Sequence, residues 1–470
     1  TEPHGAMVVD SAAAATQLAT GQWAGSEMIG LNHRGEPAET IVEVAHRLGK
    51  SAGLVTDTRI THATPAGFAA HQPNRSMENE IAVDMLDNRV EVMMGGGLRH
   101  WTPEAAGEAG SAAHAALVQL VGGAYPGSSR RRDNRNLLLE ARHEHGYQLA
   151  FDRWSLAAVE SMPLLGVFAD SEMQDALLER AARRDEATRH EPSLVEMTAK
   201  ALELLEQDPD GFFLIVEGGQ IVWCGHNNGA GGMLHELLRL DAAVRYVLDW
   251  ARQRDDTLVL VTADHETGGF GFSYSGRPLP APQTLPGEAF ADEKFQPNFN
   301  YAPPEALDLL YNQQKSFFSM MLEFDALPAG EQTPEALVKI VNSASQAKIT
   351  LDDAVAVLTR MRNRNYVAGH PFLNAPTVPQ IRDFESFYVY GENLRMNQLG
   401  RRLAAQQSVV WSSGTHTSTP VLIGAYGPPE ATRCFAGLMH ATDVGQRMIA
   451  LLGGGEVRQQ AVEAAATAGK

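Results

Sequence analysis

Cysteine is nearly absent from this sequence of 470 residues, in which Cys224 and Cys434 are the only two. They are too few for a disulfide framework, and we interpret them as small core residues with free thiols, with one bridge between them as the alternative. No apolar run approaches the roughly 20 residues of a membrane span, which argues against a membrane protein. Basic residues are few as well, at 38 against 57 acidic ones. The net charge of −19 argues against binding to nucleic acid or anionic membranes.

The rest of the composition is typical of a globular protein with a large core, since 44% of the residues are hydrophobic and 20% are charged. In so acidic a chain, an anionic substrate would need a local positive centre such as metal ions or an arginine. The sequence starts at Thr1 without a signal peptide, and a helix with catalytic character begins only ten residues later. We therefore expect a fragment or a processed form that has lost N-terminal residues.

Short apolar runs alternate with helical patterns, which predicts an α/β fold with a mostly parallel central sheet and helices on both faces. A capping box of Ser193 and Glu196 predicts the start of one helix, and the apolar spacing from Leu234 to Leu248 predicts another. Residues 212–216 and 258–262 have the strongest character of buried strands. The predicted strands are 53–56, 90–94, 212–216, 258–262 and 421–425.

The alternation stops after Gly276, where four prolines lie between residues 278 and 286. About 120 residues of mixed helix and loop follow before the strand pattern returns. We predict an insertion at residues 277–404 that acts as a lid or a dimer contact. The main domain would then combine residues 1–276 and 405–455, and residues 456–470 would form a tail.

The first stretch with chemical character reads VVDSAAAATQLATG, from Val8 to Gly21. The alanine run favours a helix and Gly21 is a natural stop, so Ser11 lies at the N-terminus of the predicted helix. There, free backbone N–H groups and the helix dipole would favour a serine alkoxide and a bound phosphate. The alternative is that Ser11 only caps the helix, as serines commonly do.

A second stretch offers groups for a hard cation and for an anion. Thr64 carries a hydroxyl suited to Mg²⁺, and Arg75 carries a planar fork that can grip two phosphate oxygens. In a third stretch, Glu217 ends a predicted buried strand, where an unpaired carboxylate would cost several kcal/mol unless a metal ion offset it.

Two further stretches contain candidate zinc ligands. Asp264 and His265 directly follow the predicted strand at 258–262, and they would supply one oxygen and one imidazole nitrogen. His416 precedes the predicted strand at 421–425, where a single histidine is more often an ordinary loop residue.

In this order, the five stretches closely resemble the alkaline phosphatase family. The matching phrases are VVDSAAAATQLATG, GLVTDTRITHATPAGFAAH, FFLIVEGGQIVWCGHNNGA, LVTADHETGGF and SGTHTSTPVLIGAYGP. The resemblance covers residues 5–276 and 405–455. His62 and Trp223 stand at positions that vary within the family, and they are similar to the cold-adapted marine bacterial type.

The resemblance implies metal-dependent hydrolysis of phosphate monoesters through a phosphoserine intermediate on Ser11, with two zinc ions and one magnesium ion. It implies the following roles: Ser11, Asp264 and His265 on the second zinc; His226 and His416 on the first zinc; Thr64 and Glu217 on the magnesium; His62 and Trp223 in the outer neighbourhood of the magnesium; and Asp10 orienting Arg75, which clamps the phosphate.

Two departures from the family pattern weaken this assignment. The family has an aspartate in a glycine-rich N-terminal turn that bridges the second zinc and the magnesium, and this sequence begins too late to contain it. The family also has an aspartate ligand of the first zinc five residues after the glutamate, where this sequence has Val222. We expect the first zinc to bind weakly, because His226 and His416 alone fall short of the three protein ligands of catalytic zinc sites.

Three functions therefore stay open. A phosphomonoesterase, impaired to some degree by Val222, is the leading hypothesis. A degenerate relative that keeps the fold and binds metal or phosphate without turnover is the second, and Val222 favours it. A diesterase or sulfatase of the same superfamily ranks lowest, because such enzymes typically lack the pair that Thr64 and Glu217 form. The family also implies a periplasmic or secreted location and allows a homodimer.

Overall fold

The computed structural model describes residues 2–123, 128–380 and 391–453. Two compact units divide the chain: unit 1 comprises Thr1–Gln220, Leu237–Glu266 and Ser418–Lys470, and unit 2 comprises Ile221–Glu236 and Thr267–Thr417. The predicted boundaries at 277 and 404 stay a prediction. The predicted tail at 456–470 lies outside the described residues.

Helices and strands alternate through the first half of the chain, as the sequence pattern predicts. The helices are α1 (Ser11–Thr20), α2 (Ile41–Arg47), α3 (Ala63–Ala69), α4 (Glu78–Asp87), α5 (Ala112–Leu120), α6 (Leu137–Glu144), α7 (Arg153–Ala157), α8 (Ala176–Ala182), α9 (Leu194–Leu205), α10 (Gln220–His226), α11 (Ala230–Ala251), α12 (Ala306–Tyr311), α13 (Phe317–Asp325), α14 (Pro334–Ala344), α15 (Leu351–Leu358), α16 (Leu394–Gln407), α17 (Pro429–Thr432) and α18 (Ala441–Gly453). The strands are β1 (Ser51–Arg59), β2 (Val92–Gly96), β3 (Gln148–Ala150), β4 (Leu164–Val167), β5 (Phe212–Glu217), β6 (Val259–Thr262), β7 (Glu266–Thr267), β8 (Gly271–Phe272), β9 (Arg360–Arg362), β10 (Thr377–Pro379), β11 (Val409–Val410), β12 (His416–Thr417) and β13 (Ile423–Tyr426).

Five strands of unit 1 form a wholly parallel sheet in the order β3-β4-β2-β1-β5. Alternate residues of its strands enter two separate cores. Leu54 and Met93 belong to the core that holds residues of α1 to α4, whereas Val55 and Met94 belong to the core that holds residues of α9. Helices therefore cover both faces of the sheet, and the predicted α/β class is confirmed.

The predicted strand at 258–262 differs from the expectation of a buried strand in a parallel sheet. It forms β6, which pairs antiparallel with β13 and is not part of the five-stranded sheet. Its side chains are half-buried or exposed, and Val261 is 38% exposed. A short apolar run is typical of a strand but carries no information about its partner, so the sequence predicted the strand and missed the pairing.

The alanine run of α1 is buried because two other helices of unit 1 approach it closely. A Cβ atom added to Gly67 of α3 would lie 2.8 Å from Ala15 Cβ, and one added to Gly445 of α18 would lie 2.6 Å from the carbonyl oxygens of Gln17 and Leu18. Small residues on both sides let the backbones meet at these distances. The helix that carries Ser11 is thus held in place by glycine and alanine contacts.

Unit 2 has a helical core of its own, in which α13, α14 and α16 contribute Phe317, Met320, Val341, Leu399 and Leu403. Unit 2 also contains two short antiparallel strand pairs, β8 with β11 and β9 with β10. Within the described residues, no helix combines the length and the apolar character needed to cross a bilayer.

Candidate active site

In unit 1 the predicted site residues follow strand ends or begin a helix. Glu217 is the last residue of β5, and Thr64 lies in the first turn of α3, which follows β1. Asp264 and His265 directly follow β6, and Ser11 is the first residue of α1. Parallel α/β folds place ligand-binding groups at the carboxyl ends of their strands, so β1 and β5 carry their site residues where this rule expects them.

Asp10, and not Ser11, caps α1. The Asp10 carboxylate accepts the backbone N–H groups of Ala12 at 3.0 Å and Ala13 at 3.4 Å, and its Oδ1 also accepts the N–H of Glu27 at 2.8 Å. The alternative in which Ser11 is only an N-cap is therefore wrong, because another side chain has that role. The expectation of free N–H groups at this helix end is wrong as well for Ala12 and Ala13.

The Ser11 side chain instead contacts His265. Ser11 Oγ lies 2.9 Å from His265 Nε2, and Asp264 Oδ2 lies 3.1 Å from the same nitrogen. In a serine–histidine–aspartate triad, the serine hydroxyl and the aspartate carboxylate would contact different nitrogens of the histidine ring. Here both oxygens approach the same nitrogen, which carries at most one proton, so the arrangement differs from that of a proton-relay triad.

Arg75 lies between Asp10 and His62. Its Nη1 is 3.3 Å from Asp10 Oδ2, and its Nη2 is 3.3 Å from His62 Nε2. The side chains of Arg75 and Asp10 are 26% and 22% exposed, so the guanidinium contacts Asp10 and remains partly accessible to solvent. Burial, and then the charge of Arg75, lower the pKa of His62 well below its usual value. His62 is therefore neutral near pH 7 and accepts a hydrogen bond from the guanidinium.

The Glu217 carboxylate has hydroxyl partners, so it is not the unpaired carboxylate whose burial would cost several kcal/mol. Thr56 Oγ1 donates to Glu217 Oε2 at 2.5 Å, Thr58 Oγ1 lies 3.3 Å from the same oxygen, and the Thr64 side chain is a further hydrogen-bond partner. Burial raises the pKa of Glu217 to about 7, and the negative charges of Asp57 and Asp264 add to this, while the hydroxyl contacts oppose it. The predicted magnesium pair, Thr64 and Glu217, is thus in contact.

Residues of β1 that were not among the predicted site residues contact this carboxylate and the turn that follows it. Thr56 and Thr58 contact it directly, and Asp57 between them binds the turn that follows it. The signal in the sequence was the polar triplet Thr-Asp-Thr at the end of an otherwise apolar strand. Alternating side chains of a strand point to opposite faces, so Thr56 and Thr58 share one face and Asp57 faces the other.

Unit 2 holds the remaining predicted ligands. His226 Nε2 lies 3.1 Å from His416 Nε2, and His226 Nδ1 is 2.9 Å from the carbonyl oxygen of Gly414. A carbonyl only accepts, so Nδ1 of His226 carries a proton in this contact. Val222 and Trp223 lie on α10 with His226. Val222 is four residues before His226 and shares its helix face.

The donor sets fit cation sites in part. Among the described residues, no group of three or more His, Cys, Asp or Glu side chains could hold a metal ion. Three smaller sets are present: Asp264 and His265 with the Ser11 hydroxyl, Glu217 with the Thr64 hydroxyl, and the two imidazoles of unit 2. The two sets that contain imidazole nitrogen suit zinc, and the pair that contains only oxygen donors suits magnesium.

Comparisons with known proteins agree with the sequence motifs. The family model described as Alkaline phosphatase matches residues 1–359. Alkaline phosphatase 3 of Bacillus subtilis is 27% identical over 452 residues, which span 95% of this chain and 77% of that protein.

Solved structures of similar fold cover nearly the whole chain. Alkaline phosphatase from Thermus thermophilus has a TM-score of 0.72 at 26% identity and covers 99% of this chain and 85% of its own. A cold-active alkaline phosphatase from a psychrophilic Shewanella has a TM-score of 0.65 at 24% identity, covering 96% and 88%. A mutant of TAB5 alkaline phosphatase with bound magnesium has a TM-score of 0.57 at 20% identity, covering 97% and 87%. The last two identities show a likeness of fold alone.

Proposed function

Because the chain belongs to the alkaline phosphatase family, we propose that it hydrolyses phosphate monoesters with Ser11 as the nucleophile. The family assignment made from the sequence motifs is confirmed, and so is the assignment as an enzyme of that family. The observation that carries the proposal is the contact of 2.9 Å between Ser11 Oγ and His265 Nε2 at the N-terminus of α1. Capping by Asp10 leaves the Ser11 hydroxyl available for this contact.

In the proposed reaction, Ser11 Oγ forms a bond to phosphorus while the bond to the alcohol oxygen breaks. Water then hydrolyses the phosphoserine and releases inorganic phosphate. Arg75 would bind two phosphate oxygens through its guanidinium, held by Asp10 on one side and by neutral His62 on the other. Since Asp10 occupies the N–H groups of Ala12 and Ala13, phosphate binding would depend on Arg75 more than on the helix end.

We assign the cations by donor chemistry. Asp264, His265 and Ser11 would hold one zinc ion, His226 and His416 the other, and Glu217 with Thr64 the magnesium ion. When bound, such ions would lower the pKa of the serine hydroxyl, stabilise the leaving oxygen and activate water. Trp223 as an outer neighbour of the magnesium, a homodimer, and a periplasmic or secreted location stay predictions.

A non-catalytic relative is the second candidate, and Val222 is the observation that favours it. A valine four residues before His226 places an apolar side chain on the helix face that presents the imidazole. Turnover would then be lost or depend strongly on added zinc.

The deciding experiment compares the full chain with Ser11→Ala, and with Ser161→Ala as a matched control on a distant loop of the same unit. Hydrolysis of an aryl phosphate, an aryl sulfate and an aryl diester is measured at pH ~9–10, where metal-bound hydroxide is abundant, along with metal content. We expect phosphate hydrolysis that Ser11→Ala abolishes, and phosphoserine at residue 11 after acid quenching. Label on another residue would refute the assignment, and metal binding without turnover would favour the non-catalytic relative.

A further inference from the structure

Asp57 is a buried carboxylate at the end of β1, and it binds the turn that follows Glu217. It is 1% exposed. Its Oδ1 accepts the N–H of Gly219 at 2.8 Å and that of Gln220 at 3.2 Å. The side-chain amide of Gln220 donates to the Asp57 carbonyl oxygen at 2.9 Å. Two hydrogen bonds from the backbone and one from the Gln220 side chain therefore tie the residues two and three positions beyond Glu217 to β1.

Arg239 holds Asp57 from the opposite side. Its Nη2 lies 2.6 Å from Asp57 Oδ2, and its Nη1 donates to the carbonyl oxygen of Gln174 at 2.9 Å. Arg239 is 8% exposed and belongs to α11. The guanidinium neutralises a carboxylate that burial would otherwise disfavour, and it orients Oδ1 toward the turn. The pair thus links β1, α11 and the turn after β5 within unit 1.

The turn has little room to move with respect to Glu217. A Cβ atom added to Gly219 would lie 2.5 Å from Thr58 Cγ2 and 2.9 Å from Glu217 Oε1. Thr56 and Thr58, on either side of Asp57 in the chain, hold Glu217 Oε2. One segment of three residues therefore fixes both the carboxylate and the backbone that follows it.

We propose that Asp57 is a positioning residue for Glu217, which sets the orientation of the Glu217 carboxylate for a divalent cation by fixing the turn at residues 218–220, and that Arg239 balances the buried charge of Asp57. This inference rests on the proposed role of Glu217 as a magnesium ligand. Groups that orient a metal ligand affect metal affinity by about 10- to 100-fold.

Two double variants that share Arg239→Met isolate the role of the acceptor. Asp57→Asn with Arg239→Met removes both charges and keeps an oxygen for the Gly219 N–H. Asp57→Val with Arg239→Met removes the oxygen as well, with a side chain suited to a strand. Replacing both partners of a buried ion pair with uncharged groups is often neutral for folding, whereas removing one partner is not.

Mg²⁺ is titrated into each chelator-treated full-length chain by calorimetry, and the thermal midpoint of the metal-free protein is recorded. We expect the Asn variant to bind Mg²⁺ within about threefold of wild type and the Val variant to bind at least about tenfold more weakly. Equal affinities in the two variants would overturn the proposal. If the Val variant does not fold, Gly219→Ala replaces it, because it displaces the turn with the ion pair intact; unchanged affinity there would also overturn the proposal.

Glu217→Gln separates this inference from the proposed function. If Glu217→Gln loses Mg²⁺ binding while the two double variants bind equally, Glu217 is a ligand and only the positioning role fails. If Glu217→Gln binds Mg²⁺ as wild type does, the magnesium assignment itself is wrong, and the positioning role falls with it.

Discussion

His226 Nε2 and His416 Nε2 lie 3.1 Å apart, with their rings tilted by 35°. Two nitrogens bound to one tetrahedral zinc at about 2.0–2.1 Å would lie about 3.3 Å apart. The histidine pair of unit 2 is therefore close to the spacing that a zinc ion requires. Among the residues that the structure describes, no third His, Cys, Asp or Glu side chain joins the pair to form a possible metal site.

Val222→Asp is expected to supply that ligand. Residues 222 and 226 are one turn apart on α10, so the new carboxylate would lie beside the His226 imidazole. We expect zinc affinity, measured by competition with a chromophoric chelator, to rise about 10- to 100-fold. Val222→Asn is the matched control, because it has the same shape without the charge. Equal zinc affinity of the Asp variant and wild type would mean that another group already completes the site.

Arg75→Ala is expected to weaken binding of phosphate. A bidentate contact to a charged group is worth about 2–3 kcal/mol, which corresponds to a loss of about 30- to 150-fold in affinity. The measurement is the inhibition constant for inorganic phosphate, with Arg75→Lys as the control that keeps the charge and loses the planar fork. An unchanged inhibition constant for Arg75→Ala would show that the guanidinium does not contact substrate.

Glu191→Gln is expected to stabilise the fold at pH values above about 4.5, with the full gain above about pH 7. Burial raises the pKa of Glu191 from 4.5 to about 7, so the folded state keeps a proton that the unfolded state releases. The contribution of Glu191 to stability therefore falls as pH rises from about 4.5 to about 7 and stays low above that. Gln retains an acceptor for the Gln174 N–H, which Glu191 binds at 2.8 Å.

The gain for Glu191→Gln in the free energy of unfolding should be about 3 kcal/mol at pH 8 and near zero at pH 4, because the pKa of Glu191 rises from 4.5 to about 7 and each pKa unit corresponds to about 1.4 kcal/mol. Guanidinium denaturation at both values of pH measures it. Glu160→Gln, an exposed position of the same unit, serves as the control. A gain that is the same at both values would contradict the raised pKa.

Gly445→Ala is expected to destabilise unit 1. The added methyl group would lie 2.6 Å from two carbonyl oxygens of α1, which cannot move without displacing the helix. The cost should be about 1–3 kcal/mol, as for other overpacked contacts. Gly453→Ala, on the same helix with nothing within 4 Å of its added Cβ, is the control. Thermal unfolding, monitored by circular dichroism, compares the stability of the Gly445→Ala and Gly453→Ala variants.

The sequence predicted the position of the parallel strands of unit 1 well, because short apolar runs indicate individual strands. The run at 212–216 forms β5, which ends at Glu217 as expected, and the stop at Gly21 is present with φ of 65°. The predicted burial of this strand was wrong, because β5 is an edge strand and its side chains are half-buried. The antiparallel partner of β6 was missed, because pairing depends on segments about 160 residues apart that no local pattern connects.

The roles assigned to the site residues stay predictions, and the structure differs from the sequence expectation in some of their hydrogen bonds. Both Asp10 and Ser11 are good caps, and only the structure shows that the aspartate takes this role. The hydroxyls of Thr56 and Thr58 reach Glu217 because β1 and β5 are adjacent, with Thr56 paired to Glu217 in the register. Such contacts across strands follow from strand order, which one sequence alone does not specify.

The contact of α1 with α18 has a consequence for the synthesis of the chain. The side-chain amide of Gln446 donates to the carbonyl oxygen of Gly21 across 425 residues of sequence. At about 5–20 residues per second, the ribosome adds α18 roughly 20–90 seconds after α1. During that interval, α18 is not yet present to pack against α1, the helix that carries Ser11. The nascent polypeptide can therefore complete the packing around α1 only after α18 has been synthesised.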